Sequence, residues 1–475
     1  MEYEAVIGLE IHTQLRTRSK MWCSCANQYG AEPNTLICPI CLGLPGVLPV
    51  ANEEAMKQTA LAGYLLNCEV PKFAKFDRKN YFYPDAPKNY QITQFDRPST
   101  KDGFVEFEHK GSLAKVRINR AHLEEDLGKC SHYAKSSGVD FNRAGVPLLE
   151  IVTEPDITSA DMAYDFLNAL KDILEYGGVS ECDMEKGMIR CDVNVSIRPK
   201  GQEKLGDKVE IKNMNSFSGA RRAINYEIGR QTEVLKGGGK IAQETRRWDD
   251  EAEMSELMRS KEDAHDYRYF PEPDLMPFEP DDAWLDDVRT RVVELPLARK
   301  RRFSDEYGIP ANDAETFVQD VELGDYFDGM ARQAKNPKTL ANWVINNIRA
   351  KLNETESALA DLKFEPAQLL ELLDLVESGK ISGKIAQDKV FPEMFENGGA
   401  PAKIVEEKGL VQVSDTGAIE QFCEEAIAAN PGPAEDYRNG KDAALNFLKG
   451  QVMKLSRGKA NPALVGETLD KILRG

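Results

Sequence analysis

Alternation of apolar and polar residues dominates roughly the first 290 positions. VIGLEIHTQL, LAKVRIN, PLLEIVT, MIRCDVNVSIR and KVEIKNMNS switch sides at nearly every residue and end in turn-forming residues, which predicts strands. Two stretches between them change to a helical period. NEEAMKQTALAGYLLN starts beside a capping Asn52; SADMAYDFLNALKDILEYGG starts from Ser159 in capping position and closes on Gly177 and Gly178. A mixed sheet with helices packed against it is the expected result for residues 1–293. The Pro- and aromatic-rich YRYFPEPDLMPFEPDDAW, from Tyr267, marks the end of that region.

The period then becomes helical throughout. ELPLARKRRFSDEYGI, NPKTLANWVINNIRAKLN and EPAQLLELLDLVESGKI are amphipathic, the last with Leu369, Leu372, Leu373 and Val376 on one stripe. Residues 294–405 read as a helical domain. Residues 406–475, punctuated by Gly and Asn-Pro, read as a separate small all-helical tail domain. The fold class is therefore α+β, and no internal repeat is visible.

Composition narrows the class without naming a reaction. A chain of 475 residues with 29% charged and 41% hydrophobic residues is globular and too long for one core. The start, MEYEAVIGLEI, is strand-like and not a leader, and no apolar run approaches the roughly 20 residues that cross a bilayer. A soluble, cytoplasmic protein is expected. The net charge of -18, taken alone, argues against a general nucleic-acid coat protein. A local basic patch remains compatible with it, and residues 441–475 carry seven basic against three acidic residues.

Four of the nine cysteines fall within residues 23–41. Cys23, Cys25, Cys38 and Cys41 form CxC, twelve residues, then CxxC. Two close thiolate pairs across a loop suit a tetrahedral S4 zinc site, which leaves no open position and is therefore structural. Four free thiols and an iron–sulfur cluster are the competing readings.

Carboxylates recur on polar strand faces. Glu10 and His12 share one face of GLEIHTQL. Arg190, Asp192 and Asn194 share one face of IRCDVNVSIR, and Glu210 and Lys212 one face of KVEIKN. AHLEEDLGK offers Glu124, Glu125 and Asp126 beside His122. Glu150 lies among apolar neighbours in LLEIV, a costly place for a charge without a partner or ligand. A wet sheet face explains the single polar residues but fits Glu150 poorly. Converging carboxylates with one imidazole suit magnesium or manganese, ions that commonly serve phosphate chemistry. The Walker A pattern is absent, since GGGK at 237–240 does not match it.

These segments carry a family resemblance. GLEIHTQL, SKMWCSC, GAEPNTLICPICLGLPGVLPV, RKNYFYPDAPKNYQITQ, FNRAGVPLLEIVTEPDI, RCDVNVSIR, EIKNMNSF, DYRYFPEPDL and the late GKANP resemble the B subunit of the tRNA-dependent aspartyl/glutamyl-tRNA(Asn/Gln) amidotransferases, in order over nearly the whole chain. The resemblance implies a ligase subunit that uses ATP to phosphorylate the side-chain carboxylate of Glu-tRNA(Gln) or Asp-tRNA(Asn). Ammonia then forms the amide. It implies two partners in a heterotrimer: an amidase (glutaminase) subunit that releases ammonia from glutamine, and a small third one. It assigns magnesium to Glu10, His12, Glu124, Glu125, Glu150 and Glu210, with Lys212 as a phosphate contact. Asp192, Asn194, Lys79, Asn80 and Tyr81 are implied to line the nucleotide and substrate site. Lys449, Lys454, Arg457 and Lys459 are implied to bind tRNA. The cysteine knuckle occurs in only part of the family, so the implied zinc is structural. A non-catalytic, metal-stabilised tRNA-binding scaffold is the alternative, and a stand-alone metal-dependent hydrolase using Glu10 and His12 is a third reading.

Overall fold

The computed structural model describes residues 2–260, 267–411, 416–456 and 458–474. Eight strands form the main sheet: β1 (Tyr3–Gln14), β2 (Thr100–His109), β3 (Ser112–Glu125), β4 (Pro147–Thr153), β5 (Ile189–Pro199), β6 (Val209–Lys212), β7 (Glu244–Asp249) and β8 (Met254–Ser260). Their order is β8-β7-β6-β5-β1-β4-β3-β2, which puts the N-terminal strand at the centre. All neighbours are antiparallel except β6 and β7.

Period-two alternation gives this sheet two unlike faces. Leu9 and Ile11 of β1, Ala121 and Leu123 of β3, Leu149 and Ile151 of β4, and Val193 and Val195 of β5 point into one core. Helices α1 (Glu53–Leu65), α2 (Ala160–Tyr176) and α3 (Phe217–Lys236), the last linking the parallel pair β6 and β7, pack on it, and the helix Asp282–Arg289 adds Val288. Their starts follow from local chemistry. Asn52 accepts from the amides of Glu54 and Ala55, and Ser159 and Ser216 accept from those of Met162 and Gly219, relieving unpaired helix donors. Gly178, at φ +65°, takes the left-handed turn after α2.

A carboxylate is sealed against this core. Glu227 of α3 is fully buried and accepts from Arg230 at 2.7 and 2.9 Å and from Gln231 at 2.8 Å. Arg230→Ala leaves that carboxylate short of its charged partner and is expected to cost about 3 kcal/mol. Urea unfolding of the variant measures this, and a loss below about 1 kcal/mol would contradict it.

Residues Met1–Leu297 form one compact unit and Ala298–Gly475 a second. Among the described residues the second has helices and no named strand, and holds two cores. Phe303, Phe317, Phe327, Leu369, Leu372 and Val390 belong to the first; Ile419, Cys423, Leu448, Val452 and Leu469 belong to the other. Among the described residues no helix is long and apolar enough to cross a membrane.

Candidate active site

The sheet face away from the helices carries the charged residues. Antiparallel register sets His12 of β1 beside Glu150 of β4 and Arg190 of β5, and sets Glu150 beside His122 of β3. Four strands thus place Arg190, His12, Glu150 and His122 in one cross-strand row. The neighbouring row sets Glu10 beside Asp192. Glu150 sits on this face because Leu149 and Ile151 take the other, which resolves its apolar surroundings in the sequence.

His12 Nε2 lies 3.4 Å from Glu150, 3.7 Å from Glu124 and 3.9 Å from Glu10. One ligand atom from each of Glu10, His12 and Glu150 falls within 4.8 Å of the others, and the same holds for His122, Glu124 and Glu150. Hard carboxylate oxygens with an imidazole form a donor set that fits magnesium or manganese. Glu124 and Glu150 are also only 1% and 5% exposed, a burial that like charges tolerate only with protons or cations between them.

The titration behaviour expresses that crowding. Burial alone would lower His12, but the hydrogen bond and charge of Glu150, with the charges of Glu124 and Glu10, raise it to about 9. Burial raises Glu124 to about 7, against the pull of Lys79. Burial and Glu150 together raise Glu10. Burial opposes the charge on Glu150, yet the hydrogen bond and charge of His12 and the Lys79 ammonium hold it well below the carboxylate range. Burial lowers His122 to about 4, leaving a neutral ring.

Cations surround the cluster. Lys212 pairs with Asp192 and, at 3.0 Å, with Glu210, whose other oxygen accepts from Thr245 at 2.7 Å. Burial disfavours the Lys212 charge, but Asp192 and Glu210 outweigh it and hold the ammonium above the usual lysine range. Lys79 is held protonated likewise by Glu124 and Glu150, and its Nζ lies 5.1 Å from the Tyr267 ring centre. A cavity of about 250 Å³ opens here, lined in part by His12, Lys79, Glu124, Arg143, Arg190 and Asp192. Asp126 fixes two of its walls, accepting from Arg190 at 2.8 Å and lying 3.6 Å from Arg143.

Several expected residues sit elsewhere. Glu125 follows Glu124 and so faces the opposite way. Its carboxylate pairs with Lys88 and accepts from the Ile92 amide at 2.9 Å, outside the converging group. Glu210 is engaged by Lys212 and Thr245 on β6 and is not among the ligand atoms that cluster with Glu10. Asn194 stands opposite Gly8 and Glu210. The Asn80 amide donates to the carbonyls of Tyr267 and Arg268 at 3.1 and 2.9 Å, so it positions that segment. The Tyr81 ring stacks on Tyr83 with centres 6.0 Å apart.

Cys23, Cys25, Cys38 and Cys41 converge, with sulfur atoms within 4.8 Å of one another. A tetrahedral zinc with Zn–S about 2.3 Å needs sulfurs about 3.8 Å apart, so the four thiols fit that ion with a small contraction. A hydrogen bond from Cys23 is the largest influence on Cys41 and, with the Lys20 charge, lowers it to about 5; Cys23 is raised in turn. In the tail, Lys449 and Lys454 lie on the helix Ala443–Leu455, with Lys454 exposed, and Lys459 follows it. Arg457 lies outside the described residues.

The GatB/GatE catalytic domain matches residues 5–286, and the GatB domain matches residues 325–473. The aspartyl/glutamyl-tRNA(Asn/Gln) amidotransferase B subunit of Carboxydothermus hydrogenoformans is 50% identical over 100% of this chain and 99% of its own length. This chain belongs to that B-subunit family. The Caldicellulosiruptor bescii protein of the same description is 50% identical over 99% of this chain and 98% of its own length. The Thermoanaerobacter pseudethanolicus one is 48% identical with both chains fully covered. The matched catalytic domain contains every residue of the carboxylate cluster.

Proposed function

We propose that this chain is the ATP-dependent subunit of a tRNA-dependent amidotransferase, acting with an amidase partner and a small third partner. Its substrates are Glu-tRNA(Gln) or Asp-tRNA(Asn), ATP and ammonia. The observation that carries the reading is the convergence of Glu10, His12, Glu124 and Glu150 beside Lys212 and Arg190 on one sheet face, with Lys79 brought to them by the strand Asp77–Asn80 of a separate three-stranded sheet. Membership of the B-subunit family favours this reading over a non-catalytic scaffold.

Glu10, His12, Glu124 and Glu150 would hold magnesium, whose positive charge offsets the phosphate oxygens when it is bound. Lys79 and Lys212, both kept protonated, present fixed charge to phosphate oxygens, and Asp126 holds Arg143 and Arg190 oriented at the cavity wall. The γ-phosphoryl group passes from ATP to a side-chain carboxylate oxygen, giving ADP and an acyl phosphate. Ammonia bonds to the acyl carbon, and phosphate leaves with that oxygen. The ion-holding set omits Glu125, whose carboxylate is taken by Lys88 and Ile92. Residues 1–293 would perform this chemistry. The helical domain at 294–405 would join them to the tail at 406–475, where Lys449, Lys454, Arg457 and Lys459 would contact tRNA phosphates. The four-thiolate knuckle would hold structural zinc.

Magnesium uptake should expel a proton. In the ion-free protein His12 stays protonated up to about 9, and only its neutral form is a ligand. Apparent magnesium affinity therefore rises by about tenfold per pH unit from about pH 7 to 9. Calorimetry at pH 8, where Glu124 is largely ionised and His12 still largely protonated, in two buffers of different ionisation enthalpy is expected to show about one proton released per ion. No release would place His12 outside the coordination set.

The reading itself is tested by reconstitution. The chain with its two partners, given ATP, glutamine and Glu-tRNA(Gln) or Asp-tRNA(Asn), is expected to form the amidated aminoacyl-tRNA. tRNA binding without ATP turnover would support the scaffold instead.

A further inference from the structure

Lys20 is the one lysine with no exposed surface among the described residues. Nothing in the catalytic cluster uses it. It lies in the irregular segment that leaves β1, and its backbone is tied on both sides. Its amide donates to the Cys25 carbonyl at 3.0 Å, and its own carbonyl accepts from the Asn52 side chain at 3.1 Å. The side chain therefore cannot swing out to water without undoing the start of the knuckle.

A buried ammonium needs an anion. Lys20 Nζ donates to Cys41 Sγ at 3.8 Å and to the Phe141 carbonyl at 3.3 Å; among the described residues no carboxylate pairs with it. The nearby carboxylate of Glu125 is already taken by Lys88. The knuckle has the opposite problem. A divalent ion held by four thiolates carries a net charge of two minus, here beside the apolar side chains of Trp22 and Ile40. The Cys38 amide, 3.1 Å from the Cys41 sulfur, is a second donor to that sulfur.

We infer that Lys20 is the built-in counter-cation of the four-cysteine knuckle: its ammonium stabilises the metal-bound thiolate of Cys41 and clamps the knuckle to the Phe141–Val146 turn. The inference rests on the zinc reading proposed above. The packing fits a clamp. Gly145, at φ +83°, lets the chain pass so close that a Cβ there would stand 3.6 Å from both Cys41 Cβ and Lys20 Cδ. Met21, next to Lys20, donates to the Gly145 carbonyl at 2.7 Å. The same turn carries Arg143 to the wall of the active-site cavity and leads into β4 with Glu150. Lys20 is thus a positioning residue between the metal knuckle and the strand that bears Glu150.

The test uses the full-length chain. Atomic absorption should find one zinc per wild-type chain; a wild-type chain without zinc would overturn the knuckle reading and the inference with it. With zinc present, Lys20→Met is expected to surrender it to a chromogenic chelator about 10- to 100-fold faster than wild type, the usual effect of losing an outer-shell partner. Cobalt substitution reads the charge directly. Without the ammonium the sulfur lone pairs rise in energy, so the thiolate-to-cobalt charge-transfer band moves to longer wavelength. A merely packing lysine would leave that band in place. Lys20→Gln, which can still donate a hydrogen bond but carries no charge, repeats the test should Lys20→Met fail to fold. A folded neutral variant with wild-type zinc release and an unmoved band would overturn the role of Lys20.

Discussion

Glu150→Gln is expected to lower ATP-dependent phosphorylation of the aminoacyl-tRNA by about 10³-fold while leaving tRNA binding within about twofold of wild type. The size follows from position. Glu150 stands between His12 at 3.4 Å and His122 at 3.5 Å and belongs to both clusters of potential ion ligands. Its carboxyl is held ionised by His12 and Lys79. The amide keeps the volume and one oxygen but removes the negative charge that balances His12. His12 consequently falls back towards the ordinary histidine range, and magnesium affinity falls with the lost anionic ligand. Single-turnover release of ADP at saturating tRNA checks the first part, and magnesium titration the second. Glu125→Gln supplies the contrast. Its carboxylate faces Lys88 and the Ile92 amide, so magnesium affinity should stay within about twofold of wild type. Equal loss of magnesium in both variants would refute the division drawn between these residues.

Removal of zinc is expected to have the second largest effect, on local stability. The segment from Cys23 to Cys41 contains no strand or helix long enough to hold itself, and Tyr29 within it is 60% exposed. Its order depends on the four sulfurs and on side-chain bonds such as Asn34 to Val139 and Asn142 to Glu32. Structural zinc sites in small modules are worth about 10 kcal/mol or more, whereas the sheet core here, built from β1, β3, β4 and β5, contains none of the four knuckle cysteines. The expected result of chelation is therefore local opening, not global unfolding. Chymotryptic cleavage after Tyr29 should accelerate by at least about tenfold, with far-ultraviolet dichroism nearly unchanged. An unchanged cleavage rate would show that the loop holds without metal.

Alternation makes much of the sheet legible. GLEIHTQL, IRCDVNVSIR and LLEIV reveal which residues share a face. Register between strands is not legible, because β1 pairs with β4 and β5 more than a hundred residues away and no single strand records its partner. Glu150 therefore reads as uncomfortable in the sequence, while its row with His12 and His122 emerges only from the paired strands. Glu124 and Glu125 read as a pair because they are adjacent, although period two sends neighbours to opposite faces. His122, on the parity of Glu124, is the signal that the segment continues as a strand and that only one of the two glutamates can join it. The Asp126 pairing with Arg143 and Arg190 depends on the turn before β4 and has no periodic trace. The same is true of Lys20. Helix α3 escapes pattern reading because its buried face is built from Ala220, Ala223, Ile224, Glu227 and Gln231, too small and polar to stand out as an apolar stripe.

The central claim is that the side-chain carboxylate of the aminoacyl-tRNA accepts the phosphoryl group at this sheet face. Glu-tRNA(Gln) labelled with oxygen-18 in both side-chain carboxylate oxygens tests it directly in the reconstituted complex. Phosphorylation followed by ammonia attack carries one labelled oxygen into each inorganic phosphate released, detectable by mass spectrometry, and Glu150→Gln should suppress that signal. Labelled amide product accompanied by wholly unlabelled phosphate would contradict the account.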